Sequence, residues 1–199
     1  MAENKLSPAG ERLLAAAMHL FSEKGYAGAT VGEIQEAAGL TFGSGALYKH
    51  FPSKEAVLTE GVDRFVETAR NERRQLAGLA DQPVGDALRT IAEAVMASFT
   101  RDSDVLRIVW RDLDAFPDLQ EKVRTERIRA TYDDFAAWLK HQAEMGNLRR
   151  HDSEAVAAVA LSSLVFFRLL NSLMHDSPGG IDEGRFVDTW TRVFLDALA

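Results

Sequence analysis

The stretch GLTFGSGALYKHF, residues 39–51, decides how this chain is read: small residues crowd its first half, and an aromatic and basic cluster fills its second. On its N-terminal side, Thr30-Val31-Gly32-Glu33 has the form of a capping box, the Thr30 hydroxyl facing the Glu33 amide and the Glu33 carboxylate the Thr30 amide. That box starts a short helix with Ile34 and Ala38 inward, and Gly39 ends it. On the C-terminal side, Pro52 and Ser53 stop one helix and cap the next, whose apolar positions are Leu58, Val62, Phe65, Val66 and Ala69. Upstream, Ser7 and Pro8 open a helix carrying Leu14, Ala17, Met18 and Phe21 at helical spacing, and Gly25 stops it. Residues 39–51 therefore read as a turn followed by a third short helix.

Beyond a connector around residues 81–83 the helices lengthen. Leu88, Ile91, Val95 and Phe99 mark one, residues 105–113 a shorter one, and Ile128, Tyr132, Phe135 and Leu139 a long one ending before Gly146. An apolar helix over 155–174 and a last one carrying Phe186, Trp190, Val193 and Phe194 complete the chain. No segment alternates as a strand does. The expected fold is all-α with about nine helices: a three-helix domain over residues 1–52, a connecting helix and linker over 53–82, and a helical bundle over 83–199.

Composition narrows the classes further. With 46% hydrophobic and 27% charged residues in 199, the chain is expected to fold around a sizeable core. The absence of cysteine excludes disulfides and thiolate metal sites. The first residues lack the apolar core of a signal peptide, and Ser162, Ser163, Arg168, Asn171 and Ser172 interrupt the apolar 155–174 segment, so the expectation is a cytoplasmic protein with no membrane partner. The histidines show no metal-ligand spacing, and neither GxSxG nor GxxxxGK[ST] occurs, so an enzyme, a metal site and a cofactor are not expected. Net charge is −7, yet residues 37–54 contain no carboxylate while holding Lys49, His50 and Lys54. A locally positive surface on an acidic protein suits phosphate contacts without strong indiscriminate DNA affinity.

Residues 11–58, ERLLAAAMHLFSEKGYAGATVGEIQEAAGLTFGSGALYKHFPSKEAVL, resemble the N-terminal DNA-binding domain of the TetR family of transcriptional regulators. The first helix ending FSEKGY, the Thr30 cap, the AG ending of the next helix, the LYKHF cluster and Lys54 carry the resemblance. It implies a helix-turn-helix whose second helix enters the major groove. Gly43, Ser44, Gly45 and Ala46 would let the backbone approach DNA closely, and the amides at the front of that helix would suit a phosphate. Thr30, Tyr48, Lys49, His50 and Lys54 would hold the phosphate backbone. Thr41 and Phe42 complete the expected DNA-facing set, and Leu47 and Phe51 are expected in the core. The family implication is a dimeric repressor released from a palindromic operator by a small-molecule effector. The other reading kept open is a helical ligand-binding or dimerisation protein with impaired DNA recognition.

Two features depart from the family pattern. Six residues, TFGSGA, separate Leu40 from Leu47 where the family usually has four. Two extra residues inside the helix would rotate its face by roughly 200° and take Leu47 out of the core, so the extra length is assigned to the turn, with Gly43 or Ser44 at the helix cap. Gln35 stands where the family usually has Ala, and the longer turn supplies backbone groups for its amide to brace. Phe42 has two readings: filling the gap behind the turn, or projecting against a thymine methyl.

In the bundle, Phe99, Trp110, Leu113, Tyr132, Phe135 and Phe167 are the expected pocket lining. Arg168 lies in an apolar helix and needs a partner, within the core or across a dimer. Apolar residues on both sides of the 155–174 helix and on the Phe186, Trp190, Phe194 face exceed what one bundle contact needs. A homodimer through the 155–174 and 182–198 helices would cover them, and its two-fold axis would match a palindromic DNA site.

Overall fold

The computed structural model describes residues 6–174 and 177–199; His175 and the start of the chain lie outside the described residues. Within them there is no strand, and the helices are α1 (Pro8–Gly28), α2 (Val31–Ala37), α3 (Lys54–Leu76), α4 (Val84–Arg101), α5 (Ser103–Arg111), α6 (Pro117–Lys122), α7 (Ala130–Glu144), α8 (Ser153–Met174) and α9 (Glu183–Leu198). A π-helical segment, Val123–Arg129, lies in the chain between α6 and α7. The chain forms two compact units, one from residues up to Thr68 with Asp102–Arg124, the other from Ala69–Arg101 with Thr125–Ala199.

In the first unit α1 starts as its sequence directs: the Ser7 hydroxyl accepts the Gly10 amide at 3.2 Å, with Pro8 in the first turn. Gly25, at φ 81°, breaks the helix. The open ends at this break are satisfied by α5 and the residue after it: the Arg111 guanidinium donates to the Ser22 carbonyl at 3.1 Å and to the Phe21 carbonyl, and the Asp112 carboxylate accepts the Tyr26 amide at 3.2 Å. Leu13, Phe21, Ile34, Leu47, Leu58 and Ile108 are fully buried in one core. Gly61 lets α3 close on α1, since a Cβ there would stand 2.3 Å from the Met18 sulfur.

In the second unit α4, α7, α8 and α9 enclose a separate core that includes Leu88, Met96, Leu139 and Leu164. Phe167 stacks on Phe186 with ring centroids 3.9 Å apart, and the Trp190 indole donates to the Ala160 carbonyl at 3.1 Å and the Ser163 hydroxyl at 3.0 Å. Gly146, at φ 78°, follows the end of α7, as expected. Arg168 finds its partners inside the unit, Glu183 at 3.2 Å and the Thr100 hydroxyl. The segment Ser153–Ser172 is long and apolar enough to cross a membrane by length and composition alone. Ala155, Ala158, Val159, Ser162 and Phe166 form an exposed stripe along it, so this helix is covered on fewer sides than its composition predicts.

The largest departure from expectation is at residues 43–51. The expected helix there is a single 3-10 turn, Ala46–Lys49, preceded by Gly45 at φ 67°. Gly39, Gly43 and Gly45 all have positive φ, which interrupts any helical run before Ala46. The cap is therefore Gly45, not Gly43 or Ser44, and these glycines serve the turn's backbone conformation. The extra residues do lie in the turn, and Leu47 and Phe51 are buried.

Candidate nucleic-acid interface and cavity

The first candidate site is built on α2. Its capping box closes in both directions: the Glu33 amide donates to the Thr30 hydroxyl at 3.2 Å, and the Glu33 carboxylate accepts the Thr30 amide at 2.9 Å. Lys24 adds an ion pair to Glu33 at 2.7 Å. Hydrogen bonds from Lys24, then from the Thr30 amide and hydroxyl, hold the Glu33 carboxyl at a pKa of about 2. After α2, Gln35 ties the turn down. Its backbone carbonyl accepts the Leu40 amide at 2.8 Å, and its buried side-chain oxygen accepts the Leu47 amide at 3.1 Å. Gln35 thus braces the point at which the lengthened turn re-enters the core.

From this base Thr41, Phe42, Gly43, Ser44, Tyr48 and Lys49 are exposed, and Gly45, Ala46 and His50 are half-buried. Lys49 has no ion-pair partner among the described residues. The Phe42 ring lies over Gly32, where a Cβ would stand 2.3 Å from its Cε2, yet the residue is 66% exposed. One edge packs on α2 and the remainder faces outward, so it joins both readings of its role. His50 lies 3.3 Å from the Ser7 hydroxyl through Nδ1, which places it beside the start of α1.

Lys54 is placed differently from a plain phosphate contact. Its ammonium donates to the Tyr26 carbonyl at 2.8 Å and the Ala29 carbonyl at 2.9 Å, and sits 4.3 Å from the centre of the Tyr26 ring. It fastens the α1–α2 connection while keeping one N–H in reserve. Burial, and then the Glu55 carboxylate, push the Tyr26 phenol up. Thr30 likewise spends its hydroxyl on Glu33.

The second candidate site is a cavity of about 460 Å³ in the second unit. Arg70, Arg73 and Arg74 at the end of α3 form one wall, Ile91, Val95 and Leu161 another, and α7 contributes Thr131, Asp134, Phe135, Ala137, Trp138 and His141. Of the six residues expected to line a pocket, Phe135 does. Trp110 is 65% exposed on α5, and Leu113 is buried in the core of the first unit. Phe167 is committed to its stack on Phe186, Tyr132 bonds Ser162 at 3.1 Å, and Phe99 is half-buried away from the lining. The arginines of this lining stand at i, i+3 and i+4 on one helical face, a spacing legible in the sequence.

A capped positioning helix followed by an exposed turn free of carboxylates and a 3-10 turn corresponds in order to the helix-turn-helix expected of a DNA-binding regulator. The profile described as bacterial regulatory proteins, tetR family, matches residues 13–60, and that of the AefR-like transcriptional repressor C-terminal domain matches residues 86–198. The chain belongs to the tetR family of transcriptional regulators. It is 30% identical over 159 residues to the HTH-type transcriptional regulator CymR of Pseudomonas putida, covering 77% of this chain and 74% of that one. It is 29% identical over 112 residues to the uncharacterized HTH-type regulator YerO of Bacillus subtilis, covering 56% of this chain and 38% of that one. With several curated relatives the match spans only 38% to 43% of their own length. Among solved structures, the TetR family regulator PfmR of Thermus thermophilus superposes with a TM-score of 0.72 at 24% identity, over 93% of this chain and 97% of that one, a likeness of fold.

Proposed function

We propose that this chain is a dimeric transcriptional repressor that binds a palindromic operator and leaves it when a small molecule occupies the cavity of its second unit. It acts by binding and not by catalysis, in the cytoplasm where its DNA lies. The observation that carries the reading is the stretch from Thr41 to Lys49: it has no carboxylate, exposes Thr41 to Ser44, Tyr48 and Lys49, and is braced from beneath by Gln35 at the buried Leu47. Tyr48, Lys49 and His50 then hold phosphates, with Thr41, Ser44, Gly45 and Ala46 against the groove and Phe42 and Gly43 at its rim. Thr30 and Lys54 support this surface, each with contact to the backbone of the DNA as a second role.

The exposed stripe on α8, with Val193 of α9 exposed as well, supports a dimer through the 155–174 and 182–198 helices. The effector shifts the dimer toward an arrangement unsuited to adjacent grooves, to the extent that it binds that arrangement more tightly.

Selection of binding sites from random duplex DNA tests the proposal. The expected product is a palindrome whose affinity falls steeply with salt. Phe42→Ala should change the preferred bases without loss of folding. Enrichment of no symmetric site would overturn the operator reading.

A further inference from the structure

Two side chains lining the cavity keep a hydrogen-bond donor enclosed with no acceptor among the described residues. Arg73 is 14% exposed and gives Nε to Asp134 at 2.9 Å, but its Nη1 has no partner among the described residues. The Trp138 indole Nε1 is in the same condition. Both groups can only donate, so whatever satisfies them must bring acceptor oxygens. Buried donors are nearly always paired in folded proteins, and a pair left open in one cavity calls for an explanation. Arg70, paired with Glu126 at 2.7 Å, and Arg74, bonded to Asn71 at 2.8 Å, line the space beside Arg73, and Asp134 is the carboxylate of the lining. The rest of the lining is Thr131 and His141 with the apolar Ile91, Val95, Phe135, Ala137 and Leu161, and Phe135 and Trp138 are stacked at 13° with ring centroids 5.9 Å apart.

Resting on the reading of the second unit as the effector-binding part, we propose that the effector is a compact apolar monocarboxylic acid, its carboxylate received by Arg73 Nη1 and Trp138 Nε1 and its hydrocarbon body lying among Ile91, Val95, Phe135 and Leu161. A cavity of about 460 Å³ holds one small molecule of this kind. An ammonium ligand would meet donors and cations, and a neutral hydrocarbon would leave both donors open. Asp134 already shares the Nε edge of Arg73, so the guanidinium is held in place before the ligand arrives.

Calorimetric titration of the full chain without DNA tests this, using 4-phenylbutyrate, benzoate and octanoate as probes and 4-phenylbutan-1-ol and 4-phenylbutylamine as controls. At least one acid should bind, and 4-phenylbutyrate should bind about tenfold or more tightly than its alcohol, as a charge-assisted hydrogen bond implies. Arg73→Gln should remove that advantage while leaving alcohol binding unchanged, and Trp138→Phe should weaken the acid several-fold. If Arg73→Gln does not fold, the Trp138→Phe comparison carries the same test. Binding of the alcohol or amine as tightly as the acid, no binding of any acid at millimolar concentration, or indifference to both substitutions would overturn the inference. Operator release is read separately by fluorescence anisotropy: an acid that binds yet releases no DNA leaves this assignment standing and sinks the proposed induction.

Discussion

In the first unit, Gln35 is 1% exposed and still gives its side-chain oxygen to the Leu47 amide, the Thr30–Glu33 box is closed both ways, and Lys54 donates to two carbonyls. In the second, Arg73 Nη1, Trp138 Nε1, Arg168 Nε and Thr191 Oγ1 are enclosed without a partner among the described residues. The first unit spends its polar groups on fixing one backbone conformation around an irregular turn. The second holds donors in reserve, two of them in the lining of its cavity. On the function proposed above, the first arrangement suits a surface that presents the same atoms to DNA each time, and the second suits a site that responds to a ligand.

The comparison can be broken most forcefully at Leu47, whose fully buried side chain anchors the end of the turn. Leu47→Ala should cost about 2–5 kcal/mol in urea unfolding. A cost near zero would mean that the turn is not seated in the core. Next comes Gln35→Leu, which leaves the buried Leu47 amide unpaired and should cost about 1–3 kcal/mol while weakening operator binding. Thr191→Val tests the other side: it removes an enclosed, unpartnered hydroxyl, so stability should stay level or rise by up to about 1 kcal/mol. A clear loss would show that the second unit satisfies its polar groups as strictly as the first.

The smallest effect is in acid. Because the Glu33 carboxyl is depressed from its ordinary 4.5 to about 2, its stabilising share is complete above pH 4.5 and is lost as pH falls toward 2. The wild type should therefore lose its stability advantage over Glu33→Gln across that window, measured by unfolding at a series of pH values. An advantage unchanged down to pH 2 would show that the capping box does not depend on the carboxylate's charge.

Local chemistry made much of the first unit readable before any coordinates. The capping box, the break at Gly25 and the burial of Ile34 follow from interactions between neighbours in sequence, while the burial of Leu47 and Phe51 and the placing of the extra residues in the turn were legible through the resemblance to the family pattern. What failed there was the helix expected over residues 43–51. Small residues suggested close approach to DNA, but Gly43 and Gly45 are positioned with positive φ, and the helix shrinks to one 3-10 turn. The same residue type serves both purposes, and composition does not separate them.

The cavity shows where sequence reading stops. Aromatic residues at helical spacing located a bundle but only one lining residue, Phe135. Trp110 and Leu113 went to the first unit because α5 and the turn after it pack there, although they lie in sequence between helices of the second. The sequence by itself determined an all-helical chain and its capping box, since these depend on hydrogen bonds and apolar spacing within a few residues, and its motif pattern carried the family. Only the tertiary structure decided that Lys54 became a clamp, that Arg168 met Glu183, and that Arg73 and Trp138 were enclosed with donors open. Those outcomes depend on which side chains from distant helices reach the same few ångströms, a matter of packing that periodicity does not encode.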